Sequence, residues 1–600
     1  MIRELINFTE KLPDDIFTLG LKPSEGLHVL VELDHQGKIK SQKMEFYDGK
    51  GEITAFLKKC IPYEVNSAYI TMNKALDAKK KIHSCSPFVL AFKKQTFKEV
   101  KARIHDYFEN ARKTCFNEDE SRLINLSMQF ESFCKDHLFK SEVAEYLKKP
   151  TKQEEKTKTL PSAMMKDGHY LNVYLTNPAI EEYRQAHQRY LQDGVFNTNE
   201  YNQSFDDQTF GLNGYQNGLN VKKPFLLHLS APFYCGIGGR ISISDAFALY
   251  NFQRLQQDNK ILPNPLPIFI DDRELNQDVI RIFEADRKIG FAEIVTKLLE
   301  KHKKDLSNYY LLNFVGGEVK DFDFVPMFNY NLNMKLIYLF PLGKPDETLR
   351  TIFEFERTII QKMFNNALVQ YSGKTESYNL KYFSEIDPGY CKNQATYLLA
   401  LKYRQAIYDY IYKSKKHSIS AQMFGDILQS LTLEDIRLDD NHTEEYSIKE
   451  KLDIWFSLNH HFDPNNSNFR GHFMPTKIPE LIEKTREVAN NDSHLSTDEE
   501  FAFIAGQVIY FLLSKSEAGE KSHALLEPFL QKAKCELFQT AIANTIARYK
   551  HAISFGKGRF EKLSSEVLGY KTNVNLQDLL PFMLAGYFAT SVIYEKADKN

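Results

Sequence analysis

The chain has few cysteines, and they are scattered. Seven of its 600 residues are cysteine (Cys60, Cys85, Cys115, Cys134, Cys235, Cys391 and Cys535), and no two stand at C-x-x-C spacing. An odd, dispersed set excludes a disulfide framework and a cysteine-built zinc finger; it fits buried reduced thiols in a cytosolic protein. Tryptophan is nearly missing, with one residue, although Phe (45) and Tyr (32) are plentiful. Neither charge is in excess: 77 Lys and Arg face 79 Asp and Glu, a net of −2. Any contact with nucleic acid must therefore come from local patches, not from a global field. Long apolar runs are lacking too. Phe501–Ser514 is short, and Leu579–Tyr594 is interrupted by Pro581, Gly586, Thr590 and Ser591. Both fall below the roughly 18 apolar residues a span needs, so core helices and no membrane are expected. The start, Met-Ile-Arg-Glu-Leu, lacks the apolar run of a signal peptide, which points to the cytoplasm. No internal repeat is visible.

Hydrophobic content of 42% and charged content of 26% are ordinary for a globular protein. The length implies two to four domains. The most regular stretch begins near Leu495. Phe501, Ile504, Ala505, Val508, Ile509 and Leu512 recur at helical spacing; so do Leu537, Ala541, Ile542, Ile546 and Tyr549, and then Phe560, Leu563 and Val567. Ser496 and Glu499 form a capping-box pattern ahead of the first stripe. This predicts a helical bundle with its own core.

Elsewhere the patterns are mixed. His28–Leu33 and Lys38–Phe46 read as strands around the turn Asp34-His35-Gln36-Gly37, and residues 97–149 read as helical. Tyr309–Phe314 and Val319–Phe324 read as a hairpin about Gly316-Gly317, and residues from about Thr348 to Ser414 as helical. The expected class is α+β multidomain. It comprises an α/β region over 1–150, a β-rich region over 151–345, a helical region over 346–473 and an all-α bundle over 474–600.

Four groups of residues carry possible chemistry. Asp321 and Asp323 alternate on one strand face, where two carboxylates would hold a divalent metal for nuclease chemistry. The plainer alternative packs Phe322 and Phe324 inward and leaves the acids in water. It is favoured because no further acidic or histidine cluster is tied to the pair. His460, His461 and His472 match no ligand spacing and read as solvated loop histidines. The Gly- and Asn-rich loop 208–223 offers Asn213, Gln216, Asn217 and Asn220 as paired donors and acceptors. Tyr215 can stack there, and Lys222 and Lys223 can meet phosphates. A second glycine cluster, with Gly238, Gly239 and Arg240, is neither a dinucleotide fingerprint nor a P-loop; a tight turn and a phosphate contact both fit it. Near the end, Arg548, Lys550, His551, Lys557, Arg559, Lys562 and Lys571 interleave with Tyr549, Phe555 and Tyr570. That pattern suits a groove following a single strand's backbone, and it suits a solvated charged face equally. No Ser-His-Asp, Cys-His or two-carboxylate system emerges elsewhere.

Three blocks carry a likeness. They are Ser84-Cys85-Ser86-Pro87-Phe88 with Lys93-Lys94; residues 308–314 leading to Lys320-Asp321-Phe322-Asp323-Phe324; and a C-terminal set. That set holds residues 501–507, Glu527-Pro528-Phe529-Leu530, Tyr549-Lys550-His551-Ala552 and Leu584-Ala585-Gly586-Tyr587. In this order, spanning most of the chain, they resemble the large subunit of type I-B CRISPR Cascade complexes. The resemblance implies a non-catalytic, DNA- and RNA-binding subunit for antiviral defence. Such a subunit recognises the protospacer-adjacent motif in duplex DNA and helps open the duplex into an R-loop. It also supports recruitment of a helicase-nuclease. Implied partners are guide RNA, target DNA, the other Cascade subunits, the helicase-nuclease and a small subunit made from the same gene. Some such subunits bind zinc through cysteines in the middle region; this chain has no such set, so no metal or cofactor is carried over.

Within that picture the 208–223 and 235–240 loops are the motif-reading candidates. Lys93, Lys94 and the C-terminal cations are the backbone candidates. The alternatives are a metal-dependent nuclease using Asp321 and Asp323, and a helical scaffold without nucleic-acid contact. Met474 follows the breaker Asp463–Asn468 and is the only Met between Met423 and Met583. It is placed to start a separate C-terminal product, as internal translation does in related systems.

Overall fold

A computed structural model describes residues 1–70, 74–150, 160–196, 199–206, 208–212, 240–257, 260–372, 377–464, 472–490, 493–516, 522–553 and 558–595. It is 55% helix and 15% strand, an α+β multidomain chain. Its contacts divide into two compact units. One holds Met1–Pro263 with Asp271–Arg287; the other holds Asn264–Ile270 with Lys288–Asn600.

The first unit is built on a four-stranded sheet. Gly26–Leu33 lies between Ile39–Tyr47 (antiparallel) and Tyr170–Leu175 (parallel), and Val89–Lys93 closes the far edge. The hairpin is formed as its turn residues dictate. Asp34 Oδ1 accepts from the Gln36 and Lys38 amides at 2.9 and 2.8 Å, and Gly37 takes φ +77°. At Gly26 the strands approach so closely that a Cβ would lie 1.9 Å from the Tyr170 carbonyl oxygen. Leu27, Val29 and Val31 are fully buried against helices Ile104–Cys115, Ser121–Asp136 and Ile180–Gly194. The Ser84–Phe88 block is part of this core. The Tyr107 hydroxyl donates to the Ser86 and Val89 carbonyls and meets Ser84 Oγ at 2.7 Å.

The second unit opens on a three-stranded antiparallel sheet of Leu266–Phe269, Ser307–Val315 and Glu318–Met327. Its hairpin turns at Gly316 and Gly317, both at positive φ. The stretch expected to be helical from Thr348 is instead interrupted. Glu347–Thr351 is a strand, and Val369–Ser372 pairs with Ser377–Leu380 before helix Gln394–Lys413 begins. β-branched and aromatic residues there outweigh the helical spacing. Helices Ala421–Leu438 and Glu445–Phe462 follow.

The terminal bundle comprises Met474–Ala489, Asp498–Ser514, Cys535–Tyr549, Arg559–Gly569 and Leu580–Phe588. Its first and third stripes are buried as expected. The second is rotated: Leu537 is exposed, and Cys535, Phe538 and Ile542 face inward. The cap is also shifted by one residue. Thr497, not Ser496, is the N-cap and accepts from the Glu500 amide at 3.2 Å, while Glu500 takes both the Ser496 amide and hydroxyl at 2.9 Å. Helices 498–514 and 580–588 touch through glycine. A Cβ on Gly506 would lie 2.2 Å from the Met583 carbonyl oxygen, and one on Gly586 2.0 Å from that of Phe503. Buried Gln507 locks the crossing, donating to the Gly586 carbonyl at 2.5 Å and accepting from the Val592 amide at 2.9 Å. The stretch Leu576–Tyr594 has the length and apolarity of a membrane span but is 67% buried. Its α-helix proper is nine residues long, well short of a span.

Candidate nucleic-acid interface

The first unit contains an open groove of about 1290 Å³. Helices Ala55–Val65, Ile180–Gly194 and Ile243–Gln257 form its walls; Leu30 reaches it from the sheet and Thr176 from just past strand Tyr170–Leu175. Phe17, Tyr63, Phe247 and Tyr250 line it with aromatic surface. Lys58, Lys59, Arg184 and Arg254 stand at it against one acid, Asp14. Lys58, Lys59 and Arg184 are exposed; the Arg254 guanidinium lies 5.9 Å from the Tyr250 ring centroid. Arg184 also holds Glu181 at 2.8 Å. His187 is not a cation here. Burial pushes it down to about 4, and its Nε2 meets the Ala68 carbonyl at 2.8 Å. Aromatic faces with a cationic rim can stack bases and hold phosphates. The groove draws on residues from 14 to 254, so no sequence window displays it. The local signal was the adjacent pair Lys58-Lys59 on helix Ala55–Val65.

The expected motif-reading residues Asn213, Tyr215, Gln216, Asn217, Asn220, Lys222, Lys223, Gly238 and Gly239 lie outside the described residues, as does Lys557. Arg240 is described and is 6% exposed, with Nε donating to the Tyr201 carbonyl at 2.9 Å. That burial makes it a tie within the fold rather than a surface phosphate contact.

The backbone candidates separate. Lys93 is half-buried at the end of its strand, 5.4 Å from the Tyr170 ring centroid. Lys94 is a correction: its ammonium is buried and donates to the Ser162 and Met165 carbonyls at 2.8 Å each. Arg559 is likewise engaged, with Nη1 on the Val592 and Glu595 carbonyls at 3.1 and 2.7 Å. Sequence cannot distinguish a lysine on a surface from one capping buried carbonyls. Arg548, Lys550 and His551 are exposed at the end of helix 535–549, and Lys562 is half-buried on the next helix.

Asp321 and Asp323 do share a strand face, but that face is turned inward. Lys413, 2% exposed, lies 2.8 Å from Asp321, 3.4 Å from Asp323 and 2.9 Å from Asp409, and Lys415 pairs with Asp323. The ammonium occupies the position a divalent ion would take between the carboxylates. Burial raises Asp321 above the usual carboxylate range; it works against Asp323 too, but Lys415 and Lys413 more than offset it and hold that group low. Phe322 and Phe324 face the other way, the reverse of the inward packing expected. Phe322 stacks on Tyr310 at 4.9 Å and Phe324 is 40% exposed. Nor are His460 and His461 loop residues: both lie in the last turn of helix Glu445–Phe462, where exposed His460 packs on Phe473 at 4.1 Å and burial lowers His461.

No family model, curated protein or solved structure matches the chain.

Proposed function

We propose that this chain is a non-catalytic large subunit of an RNA-guided surveillance complex of the type I-B Cascade kind. It acts in the cytoplasm with guide RNA, target DNA, the other Cascade subunits and a helicase-nuclease. It recognises the protospacer-adjacent motif, helps open the duplex and supports recruitment of the nuclease. The observation that carries this reading is the groove, whose aromatic lining and rim of Lys58, Lys59, Arg184 and Arg254 suit a nucleic-acid strand. The exposed pair Arg548 and Lys550 adds a second patch of the same sign. Sequence selection is left to guide pairing, so the protein needs only the motif and the backbone. The 208–223 stretch is assigned to motif reading on its chemistry. The C-terminal bundle is also made alone, from Met474, as the small subunit; Met474 begins its first helix.

The test is to purify the tagged full chain from its own cells and sequence the RNA that accompanies it. Repeat-flanked guide RNAs of one length class are the expected outcome. RNA no different from that of an untagged control would overturn the reading.

A further inference from the structure

Three side chains in the second unit converge on one point outside the surfaces described above. Asp439 follows helix Ala421–Leu438, His442 sits in the turn before helix Glu445–Phe462, and His523 opens the short turn His523–Leu526. One ligand atom from each lies within 4.8 Å of the other two. His442 Nδ1 and His523 Nε2 face each other at 3.1 Å, with the rings 70° apart. Two imidazoles sharing a tetrahedral ion at 2.0–2.1 Å would place their nitrogens about 3.3 Å apart.

The surroundings hold this arrangement. The Tyr587 hydroxyl lies 3.2 Å from His523 Nδ1, on the side away from His442, and so fixes the ring. That is the outer hydrogen bond a ligating histidine usually makes. Asp439 Oδ2 accepts from the His523 amide at 2.6 Å and Oδ1 from the Glu444 amide at 2.9 Å, which orients the carboxylate. Asn441 and His442 both adopt left-handed backbone, at φ +51° and +60°, and this turns His442 back toward His523. Glu445, paired with Lys449, has its Oε2 3.9 Å from His523 Nε2 and adds negative charge beside the trio.

We propose that Asp439, His442 and His523 form a binding site for a divalent zinc-class ion, with water as the fourth ligand. Two nitrogens and hard oxygens suit Zn²⁺ better than Mg²⁺ or Ca²⁺, which prefer all-oxygen shells. The ion clips the turn between two helices of the 346–473 region to the terminal bundle. Spacings of 3 and 81 residues hide the set from motif inspection. A product starting at Met474 carries His523 alone and cannot assemble the site.

The experiment uses the tag-free full chain, stripped with EDTA and reloaded with zinc sulfate alone before gel filtration and elemental analysis. About one zinc per chain is expected, falling at least tenfold in His442→Ala. That residue is exposed, so its loss leaves the core in place, which Trp455 emission checks. With Co²⁺ in place of zinc, the wild type should show the visible absorption of a tetrahedral ion and His442→Ala should lose it. Less than 0.1 zinc per wild-type chain after reloading overturns the site, whatever the variant does. Equal zinc in wild type and His442→Ala overturns it as well.

Discussion

Replacing Gly586 by Ala adds one methyl group where two helices of the terminal bundle touch. The new Cβ would lie 2.0 Å from the Phe503 carbonyl oxygen and 2.7 Å from its carbon. Ordinary contact starts near 3.4 Å, so the helices must part by roughly 1.4 Å in an interior packed as densely as a crystal. Forcing a methyl group into such a contact costs about 1–3 kcal/mol. Parting also stretches the 2.5 Å bond from the buried Gln507 amide to the Gly586 carbonyl, and an unmet buried donor costs about 1–3 kcal/mol more. Higher helix propensity returns about 1 kcal/mol. The net is a loss of about 3 kcal/mol, a large share of a typical 5–15 kcal/mol stability. Trp455, the single tryptophan and 4% exposed, lies in the same unit and reports its unfolding in urea. The midpoint should fall for Gly586→Ala and hold for Gly569→Ala, where nothing lies within 4 Å of the added methyl. An unchanged or raised midpoint for Gly586→Ala would refute the crossing.

Other consequences can be measured on the same chain. Lys413→Met removes the cation shared by Asp321, Asp323 and Asp409, and should lower stability by about 3–5 kcal/mol in urea titration. If Lys413→Met instead gains Mg²⁺-dependent DNA cleavage, the acid pair is a metal site suppressed by the lysine. The second unit should lose stability as pH rises from 5 to 8. Burial pushes Glu356 up to about 7 and Asp453 up to about 8, so the folded state keeps protons that the unfolded chain releases. Their contribution is full below about pH 4 and is lost toward pH 8; Glu356→Gln should flatten the fall by about 3 kcal/mol in urea midpoints taken at both pH values. Met474→Leu should abolish any short C-terminal product on an immunoblot while sparing the full chain, and a product persisting with the same N-terminus would sink the internal start.

Local chemistry made part of this fold legible. The Asp34–Gly37 turn works through side-chain and backbone hydrogen bonds that those four residues carry themselves, so its strands fall within two residues of expectation. The stripes at 501–512 and 560–567 were readable because burial imposes a helical period. Ser496-Glu499 and Thr497-Glu500 are overlapping box patterns, and only the tertiary entry of the chain selects the second. The inward face of Asp321 and Asp323 depends on Lys413, some ninety residues away. The same distance problem hides the groove, and it hides the Asp439, His442 and His523 cluster. In each case the partners meet through topology, which spacing along the chain does not encode.

The most direct test of the central claim is binding of the assembled complex to motif-bearing duplex DNA across a salt series. The wild type is compared with the Lys58→Ala, Arg184→Ala, Arg254→Ala triple variant. Each lost phosphate contact should lower the slope of log affinity against log salt by about 0.9, so the variant should bind more weakly and with a slope shallower by about 2–3. Identical affinity and slope in the two would contradict a strand-binding role for the groove and remove the observation on which the proposed function rests.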